Sequence, residues 1–281
     1  MVIYGSEIAE NIKSELKVEI DGIKAQGLRT PKLSVILVGE NPASLSYIKG
    51  KRKACELVGI DFELVALKEN VGQLALMEKI EELNKSEDVD AILVQLPLPE
   101  GFNYDEKVAL ELIDHRKDVD GLTSYNAGKV FLGEDGFAPC TPMGVIEILK
   151  AAKVDLDGKN VCVIGRSNLV GLPVSRLLIA ENATVTLCHS HTKNLKAIAK
   201  QADVLVVAIG KPRFINEEYV KDQAVVIDVG VNRVDGHLCG DVDFENVKDK
   251  CSIITPVPKG CGPMTIAMLL KNVLKAYYQR G

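Results

Sequence analysis

The chain has 281 residues, 47% of them hydrophobic and 26% charged, with a net charge of −5. That length accommodates two domains, each with its own core. No run approaches the ~20 apolar residues of a membrane span, and the negative balance speaks against nucleic acid as a main partner.

The first residues, Met-Val-Ile-Tyr-Gly-Ser-Glu, contain no basic segment followed by an apolar stretch, so no signal peptide is expected. Apolar residues at helical spacing (Ile8, Ile12, Leu16, Ile20, Ile23) predict a helix over 6–25. A buried strand over 31–39 ends in glycine. Asn41-Pro42 starts a helix that runs to about Val58, with proline in its first turn. A strand over 62–68, a helix over 74–84 and a strand over 91–94, stopped by Pro97 and Pro99, follow. This alternation implies a parallel sheet covered on both faces. From Thr141 a linker helix with Pro142 at its start leads to strands over 161–164, 184–187, 204–208 and 225–229, with a weaker candidate at 253–254. Helices are expected over 173–181 and 195–201, and a final helix over 265–278 packs back on the first domain. The seven cysteines are odd in number, lack a Cys-x-x-Cys pair and lie partly in apolar strand patterns. Reduced, mostly buried thiols in a cytoplasmic protein are therefore expected.

The most informative stretch runs from Lys159 to Leu178. An apolar run over 161–164 ends at Gly165, and Arg166, Ser167 and Gly171 lead into the helix carrying Pro173. Such a turn presents backbone N–H groups at a positively polarised helix start, where a pyrophosphate binds. Enzymes preferring NAD place an acid ~20 residues further on. Here 184–192 contains no carboxylate, whereas Ser190 offers a donor to a 2′-phosphate and Arg166 a nearby charge, so NADP is favoured over the alternative that these are ordinary loop residues. His189 and His191 lack a third ligand, which argues against a metal.

A second constellation precedes this turn. Tyr47 and Lys51 are four residues apart and share one helix face. A Tyr-x-x-x-Lys pair suggests short-chain dehydrogenases, but there the pair follows the glycine turn, and the order here is the reverse. Gln95 places an amide at the carboxyl end of an apolar strand, where ligands of α/β sheets bind. Lys117-Asp118-Val119-Asp120-Gly121 places two acids in a turn after the first domain, where a purely structural turn or cap role is open to Asp118.

Together these residues resemble the bifunctional methylenetetrahydrofolate dehydrogenase/methenyltetrahydrofolate cyclohydrolase family over essentially the whole chain. The landmarks are Val38-Gly39-x-x-Pro42-Ala43-Ser44-x-x-Tyr47-x-x-x-Lys51, Gln95-Leu-Pro-Leu-Pro99, Lys117 to Gly121, and Pro139-Cys-Thr-Pro-x-Gly144. Gly165-Arg-Ser-x-x-Val-Gly171, Cys188-His-Ser-x-Thr192, Asp228-Val-Gly-x-Asn-Arg233, Gly240-Asp241-Val242 and Thr255-Pro-Val-Pro258 follow in the same order. The resemblance implies two α/β domains with a cleft between them: a folate-binding catalytic domain over 1–140 plus the C-terminal helix 265–281, and a Rossmann-like NADP-binding domain over 141–264. It implies that Lys51, Gln95 and Asp120 line the folate site, that Tyr47 stacks on the folate, and that Gly262 and Pro263 also touch it. NADP contacts are implied at Gly165, Arg166, Ser167 and Ser190, with Val231 near the nicotinamide. No metal is implied. A cytoplasmic homodimer acting on tetrahydrofolate derivatives in one-carbon metabolism completes the picture. One departure stands out: Lys259 and Cys261 replace glycine and valine of the family's usual Pro-Val-Pro-Gly-Gly-Val-Gly-Pro-Met-Thr. The lysine is expected either to exclude a positive backbone angle or to place a cation near the folate entrance.

The implied chemistry suits these residues. The carbon oxidised in methylenetetrahydrofolate lies between two nitrogens, which stabilise the cation left by hydride loss, so that step needs positioning rather than a base. Hydrolysis of the methenyl product moves protons. Lys51, with its pKa lowered by burial, supplies a neutral amine as base. Gln95 holds that lysine through its amide oxygen, and Asp120 accepts hydrogen bonds from the pterin. Two rival readings remain: a shikimate- or amino-acid-type dehydrogenase, which also places a catalytic domain first, and a nucleotide-sensing scaffold, which leaves Tyr47, Lys51, Gln95 and Asp120 without a shared task.

Overall fold

Helix α1, Gly5–Ala25, buries Ile12, Leu16, Ile20 and Ile23, the stripe its apolar spacing marks out. In this computed structural model, which describes residues 1–280, the chain divides into two units. One comprises Asn11–Cys140 with the chain from Ile266 on; the other joins Met1–Glu10 to Thr141–Thr265.

In the first unit α1 leads to β1 (Lys32–Val38), α2 (Pro42–Val58), β2 (Asp61–Leu67), α3 (Gln73–Lys85) and β3 (Ala91–Val94). The sheet is parallel in the order β2-β1-β3, with Leu33 opposite Phe62 on one side and Ala91 on the other. The central strand is buried from Leu33 to Val38 and apolar there save for Ser34, because both of its faces are covered. Ile36, Val38, Ile92 and Val94 pack with Leu76, Ile80 and Leu83 of α3. Two short helices, α4 (Glu106–Glu111) and α5 (Ser124–Leu132), fall in a stretch for which only a turn is expected from the sequence. Too short to display a helical apolar period, they are fixed by their caps: Asp105 accepts from the Val108 N–H at 3.0 Å, and the Thr123 hydroxyl from the Asn126 N–H at 3.3 Å.

The acidic turn lies inside this unit rather than after it. Ile92 N–H donates to the Lys117 carbonyl at 2.8 Å, so the 117–118 segment runs alongside β3. The buried Lys117 ammonium donates to the carbonyls of Leu83, Asn84 and Ser86 at 2.8, 2.8 and 2.7 Å. It thereby closes the C-terminal end of α3, where carbonyls have no helical partner and a cation is favoured. Burial lowers its pKa to about 8.

The second unit contains α6 (Cys140–Ala151), β4 (Asn160–Ile164), α7 (Gly171–Ala180), β5 (Thr184–Cys188), α8 (Leu195–Ala199), β6 (Val204–Val207) and β7 (Val225–Asp228). A hairpin, β8 (Asn232–Val234) and β9 (His237–Cys239), then α9 (Phe244–Val247), β10 (Ile253–Ile254) and α10 (Cys261–Arg280) complete the chain. Five parallel strands run in the order β10-β7-β6-β4-β5. The chain leaves β4 for β5 on one side and then crosses to β6 on the other. The carboxyl end of β4 is thus the switch point where such sheets bind ligands. The unpredicted hairpin turns through Asp235-Gly236, both at positive φ, the two-residue signal that a primed turn requires. The first residues take their backbone partners here: Ile3 N–H donates to the Ile254 carbonyl and Ile254 N–H to the Met1 carbonyl, both at 3.0 Å. Helix α10 begins at Cys261, earlier than the periodicity suggests, because Pro263 is tolerated in a first helical turn. All seven cysteines are free thiols, six of them buried. Among the described residues no helix is long and apolar enough to cross a membrane.

Candidate active site

The first half of the site grows out of the start of α2. The Asn41 side-chain oxygen accepts from the N–H groups of Ala43 and Ser44 at 2.9 and 3.3 Å, and Pro42 fills the first helical position. The helix so anchored presents Tyr47, 54% exposed, and one turn later Lys51, which is partly buried. The Lys51 amine donates to Gln95 Oε1 at 3.0 Å. Gln95 stands just past β3, where its N–H bonds the Ile36 carbonyl at 2.9 Å and its amide nitrogen donates to the Leu96 carbonyl at 2.7 Å. That second bond orients the amide so that its oxygen meets the lysine. Burial lowers the pKa of Lys51 below that of an ordinary lysine, and the Asp120 charge opposes this. Burial likewise raises Asp120, against the attraction of Lys51 and a hydrogen bond from the Cys140 thiol. Of the four residues singled out on this unit, Lys51 and Gln95 are hydrogen-bonded and Asp120 is near enough for its charge to act on Lys51, and both charged members are pushed toward their neutral forms.

The two acids of the turn differ as their surroundings dictate. The Asp118 carboxylate, 1% exposed, accepts from the N–H groups of Leu122 and Thr123, the Thr123 hydroxyl and the Asn126 amide, at 2.7–3.1 Å. It is a structural hub. Asp120, two residues on, has no such set of donors and instead feels the charge of Lys51 and the neighbouring Cys140. Asp118→Ala is expected to lower stability by at least about 3 kcal/mol, because several buried donors lose their acceptor. Asp120→Asn is expected to change stability by less than about 1 kcal/mol. Urea unfolding of both variants checks the contrast, and equal losses would remove the distinction.

The second half is the glycine turn. Gly165 has φ +125°, and a Cβ there would lie 2.1 Å from the Ala208 carbonyl oxygen. A Cβ at Gly171 would lie 1.9 Å from the Gly165 carbonyl oxygen. Both glycines are required so that the loop folds tightly onto the start of α7, leaving a backbone cradle a side chain would fill. Gly165 N–H donates to the Cys188 carbonyl at 2.9 Å, and the Ser167 hydroxyl accepts from Val170 N–H at 3.2 Å. Arg166, Ser167 and Ser190 are exposed, and the pairing of Ile164 with Cys188 sets the Arg166 loop beside the Ser190 turn. This arrangement fits a dinucleotide bearing a 2′-phosphate, with the cradle for pyrophosphate and a cation and a hydroxyl at the next strand end.

Sequence reasoning missed how the later motif blocks cooperate. The buried Asp228 carboxylate accepts from the N–H groups of Gly230, Asp241 and Val242 at 3.0, 3.0 and 2.9 Å. Asp241 accepts from Ile209 and Gly210 N–H at 2.7 and 2.9 Å and from the Asn232 amide at 2.8 Å. These two acids clamp the loop that carries Val231, 47% exposed. The signal was present as two short Asp-Gly blocks, but their pairing is tertiary. Burial pushes Asp228 up to about 7 despite the N–H bonds it accepts. Lys259 corrects one expectation: it adopts φ +79°, so lysine does not exclude the positive angle. It carries the left-handed conformation at a cost of about 1–2 kcal/mol, and Ser6 N–H holds its carbonyl at 3.0 Å. Gly262 and Pro263 lie in the first turn of α10.

A lysine–amide–carboxylate pocket on one α/β unit and a dinucleotide cradle at the switch point of the other define a two-unit, nucleotide-dependent oxidoreductase. The comparisons make the class specific. Residues 3–120 match the model of the tetrahydrofolate dehydrogenase/cyclohydrolase catalytic domain, and residues 139–281 that of its NAD(P)-binding domain. The chain is 54% identical over 276 residues to the bifunctional protein FolD of Oceanobacillus iheyensis, covering 98% of this chain and 96% of that one. It is similar to the crystal structure of the Campylobacter jejuni bifunctional FolD methylenetetrahydrofolate dehydrogenase/cyclohydrolase (TM-score 0.97, 46% identity, 100% and 99% covered). It is also similar to the Trypanosoma brucei enzyme complexed with NADP cofactor and inhibitor (TM-score 0.94, 38% identity, 99% and 97% covered). The chain belongs to the tetrahydrofolate dehydrogenase/cyclohydrolase family.

Proposed function

We propose that this chain oxidises 5,10-methylenetetrahydrofolate to 5,10-methenyltetrahydrofolate with NADP and hydrolyses the product to 10-formyltetrahydrofolate, a pair of steps in one-carbon metabolism. The observation that carries the reading is the Lys51 amine held 3.0 Å from the Gln95 amide oxygen beside Asp120, in surroundings that disfavour its charged form. Bound NADP supplies a hydride acceptor. Gly165, Arg166 and Ser167 would hold it at the turn, Ser190 would donate to the 2′-phosphate, and Val231 would lie on the nicotinamide side. Asp120 accepts hydrogen bonds from the pterin and fixes its orientation, and Tyr47 stacks on the ring. In the second step the neutral Lys51 amine takes a proton from the water that adds to the methenyl carbon. The same group then gives that proton to the ring nitrogen whose bond to the carbon breaks, and the hydroxyl proton of the adduct passes to solvent as the formyl C=O forms. Gln95 keeps the amine aimed while its charge changes. Gly262 and Pro263 complete the folate contacts.

The reading includes a cytoplasmic homodimer joined through the NADP-binding unit and no nucleic-acid or membrane partner, on the strength of the family resemblance and the net charge of −5. The test is oxidation of methylenetetrahydrofolate and of shikimate, each with NADP and NAD. The proposal expects methylenetetrahydrofolate with NADP to give the highest kcat/KM, and activity on shikimate instead would end it.

A further inference from the structure

We infer that Asn272 is a positioning residue for folate binding, acting through the segment that carries Asp120; the inference rests on the reading of Asp120 given above. Asn272 lies on α10 and is 2% exposed. Its amide nitrogen donates to the carbonyl of Val119, the residue before Asp120, at 2.7 Å, and to the carbonyl of Ala138 at 3.2 Å. It also approaches the Cys140 sulfur at 3.8 Å. Cys140, 1% exposed, donates its thiol to the same Val119 carbonyl at 3.4 Å and neighbours Asp120 closely enough for the two to act on each other electrostatically. One side-chain amide thus ties together the backbone immediately before the acid and the thiol that neighbours the acid.

On its other flank the same turn is held by Asp118. Between the two anchors Asp120 has little freedom to swing. Its carboxylate is pre-set at one angle before the substrate arrives, which removes an ordering cost from binding. The amide of Asn272 spends its bonds on Val119 and Ala138 rather than on Lys51 or Gln95, so its influence passes through Val119 and Cys140. The neighbouring acid is held by four donors of its own, which leaves Asp120 as the member of the turn whose placement depends on this amide.

The test is the dissociation constant for tetrahydrofolate, measured by titration calorimetry on the full chain, for Asn272→Ala, Asp120→Asn and the double variant. Asn272→Ala is expected to weaken tetrahydrofolate binding about tenfold while NADP binding stays within about twofold. In the Asp120→Asn background the same change is expected to add less than about twofold, because residues acting in series are not additive. Should Asn272→Ala fail to fold, Asn272→Ser carries the same comparison. Unchanged tetrahydrofolate binding in the folded variant overturns the inference, as does a full tenfold loss in the Asp120→Asn background. If Asp120→Asn itself leaves binding unchanged, the role assigned to Asp120 falls, and this inference falls with it.

Discussion

Lys51→Met is expected to slow hydrolysis of methenyltetrahydrofolate by about 10³-fold or more while tetrahydrofolate binding stays within a few-fold. A positioned base contributes about 10²–10⁴ in rate, and methionine keeps the length of the lysine stem while removing the amine. The variant has little reason to unfold. The lysine is partly buried, and burial disfavours its ammonium, so the replacement also removes a desolvation cost. The Gln95 amide stays oriented by its bond to the Leu96 carbonyl. The same assignment fixes a pH dependence. The working form is the neutral amine, so hydrolysis rises with pH and levels off above the pKa of Lys51. Because burial lowers that pKa, the midpoint falls below the 10.5 of an ordinary lysine. Stability carries the same sign: the unfolded chain binds this proton more tightly, so the contribution of Lys51 to stability improves as pH rises through the interval between the lowered value and 10.5. A hydrolysis rate that falls with pH across this range, or a Lys51→Met variant with full hydrolase activity, would show that another group moves the proton.

Gly171→Ala is expected to weaken NADP binding by about 100-fold or more and to cost about 3 kcal/mol of stability. The new methyl group would meet the Gly165 carbonyl oxygen at 1.9 Å and the Arg166 nitrogen at 2.8 Å. Both are backbone atoms of the loop that forms the cradle, so nothing flexible can yield. Relief requires α7 to back away from the turn, which withdraws the helix start from the pyrophosphate. Gly128→Ala provides the control. That glycine lies inside α5, and a methyl group added there would meet nothing within 4 Å beyond the adjoining residues and backbone of its own helix, so alanine is expected to add about 0.5–1 kcal/mol of stability. Calorimetric titration with NADP and urea unfolding of both variants check the pair. An NADP affinity in Gly171→Ala equal to that of the parent would dissociate the cradle from cofactor binding.

Much of this was legible in the amino-acid sequence, and the reasons are physical. The long amphipathic α1, the apolar β1 and the Asn41-Pro42 start of α2 each carry a local signal that the structure repeats. The glycine turn was legible because its close approaches leave no choice of residue. Helices α4 and α5 were not, since six and nine residues cannot display an apolar period. The hairpin after Val231 was missed although Asp235-Gly236 marks it, because strands of three residues are too short to alternate visibly. In the candidate site, the types and spacing of Tyr47 and Lys51 could be read, but the 3.0 Å bond from Lys51 to Gln95 spans 44 positions and no local pattern encodes it. The division of labour between Asp118 and Asp120 depends on which acid meets the donors of Leu122, Thr123 and Asn126, and that too is tertiary. Asn272, far along the chain in an apolar helix, gave no sign of its partners.

The most direct trial of the central claim is one absorbance time course: enzyme mixed with methylenetetrahydrofolate and NADP, followed at the bands of NADPH and of the methenyl product. NADPH is expected to form, with a methenyl signal that rises and then decays faster than it does without enzyme. NADPH formation with a methenyl signal that decays only at the uncatalysed rate would contradict the claim that this one chain performs both steps.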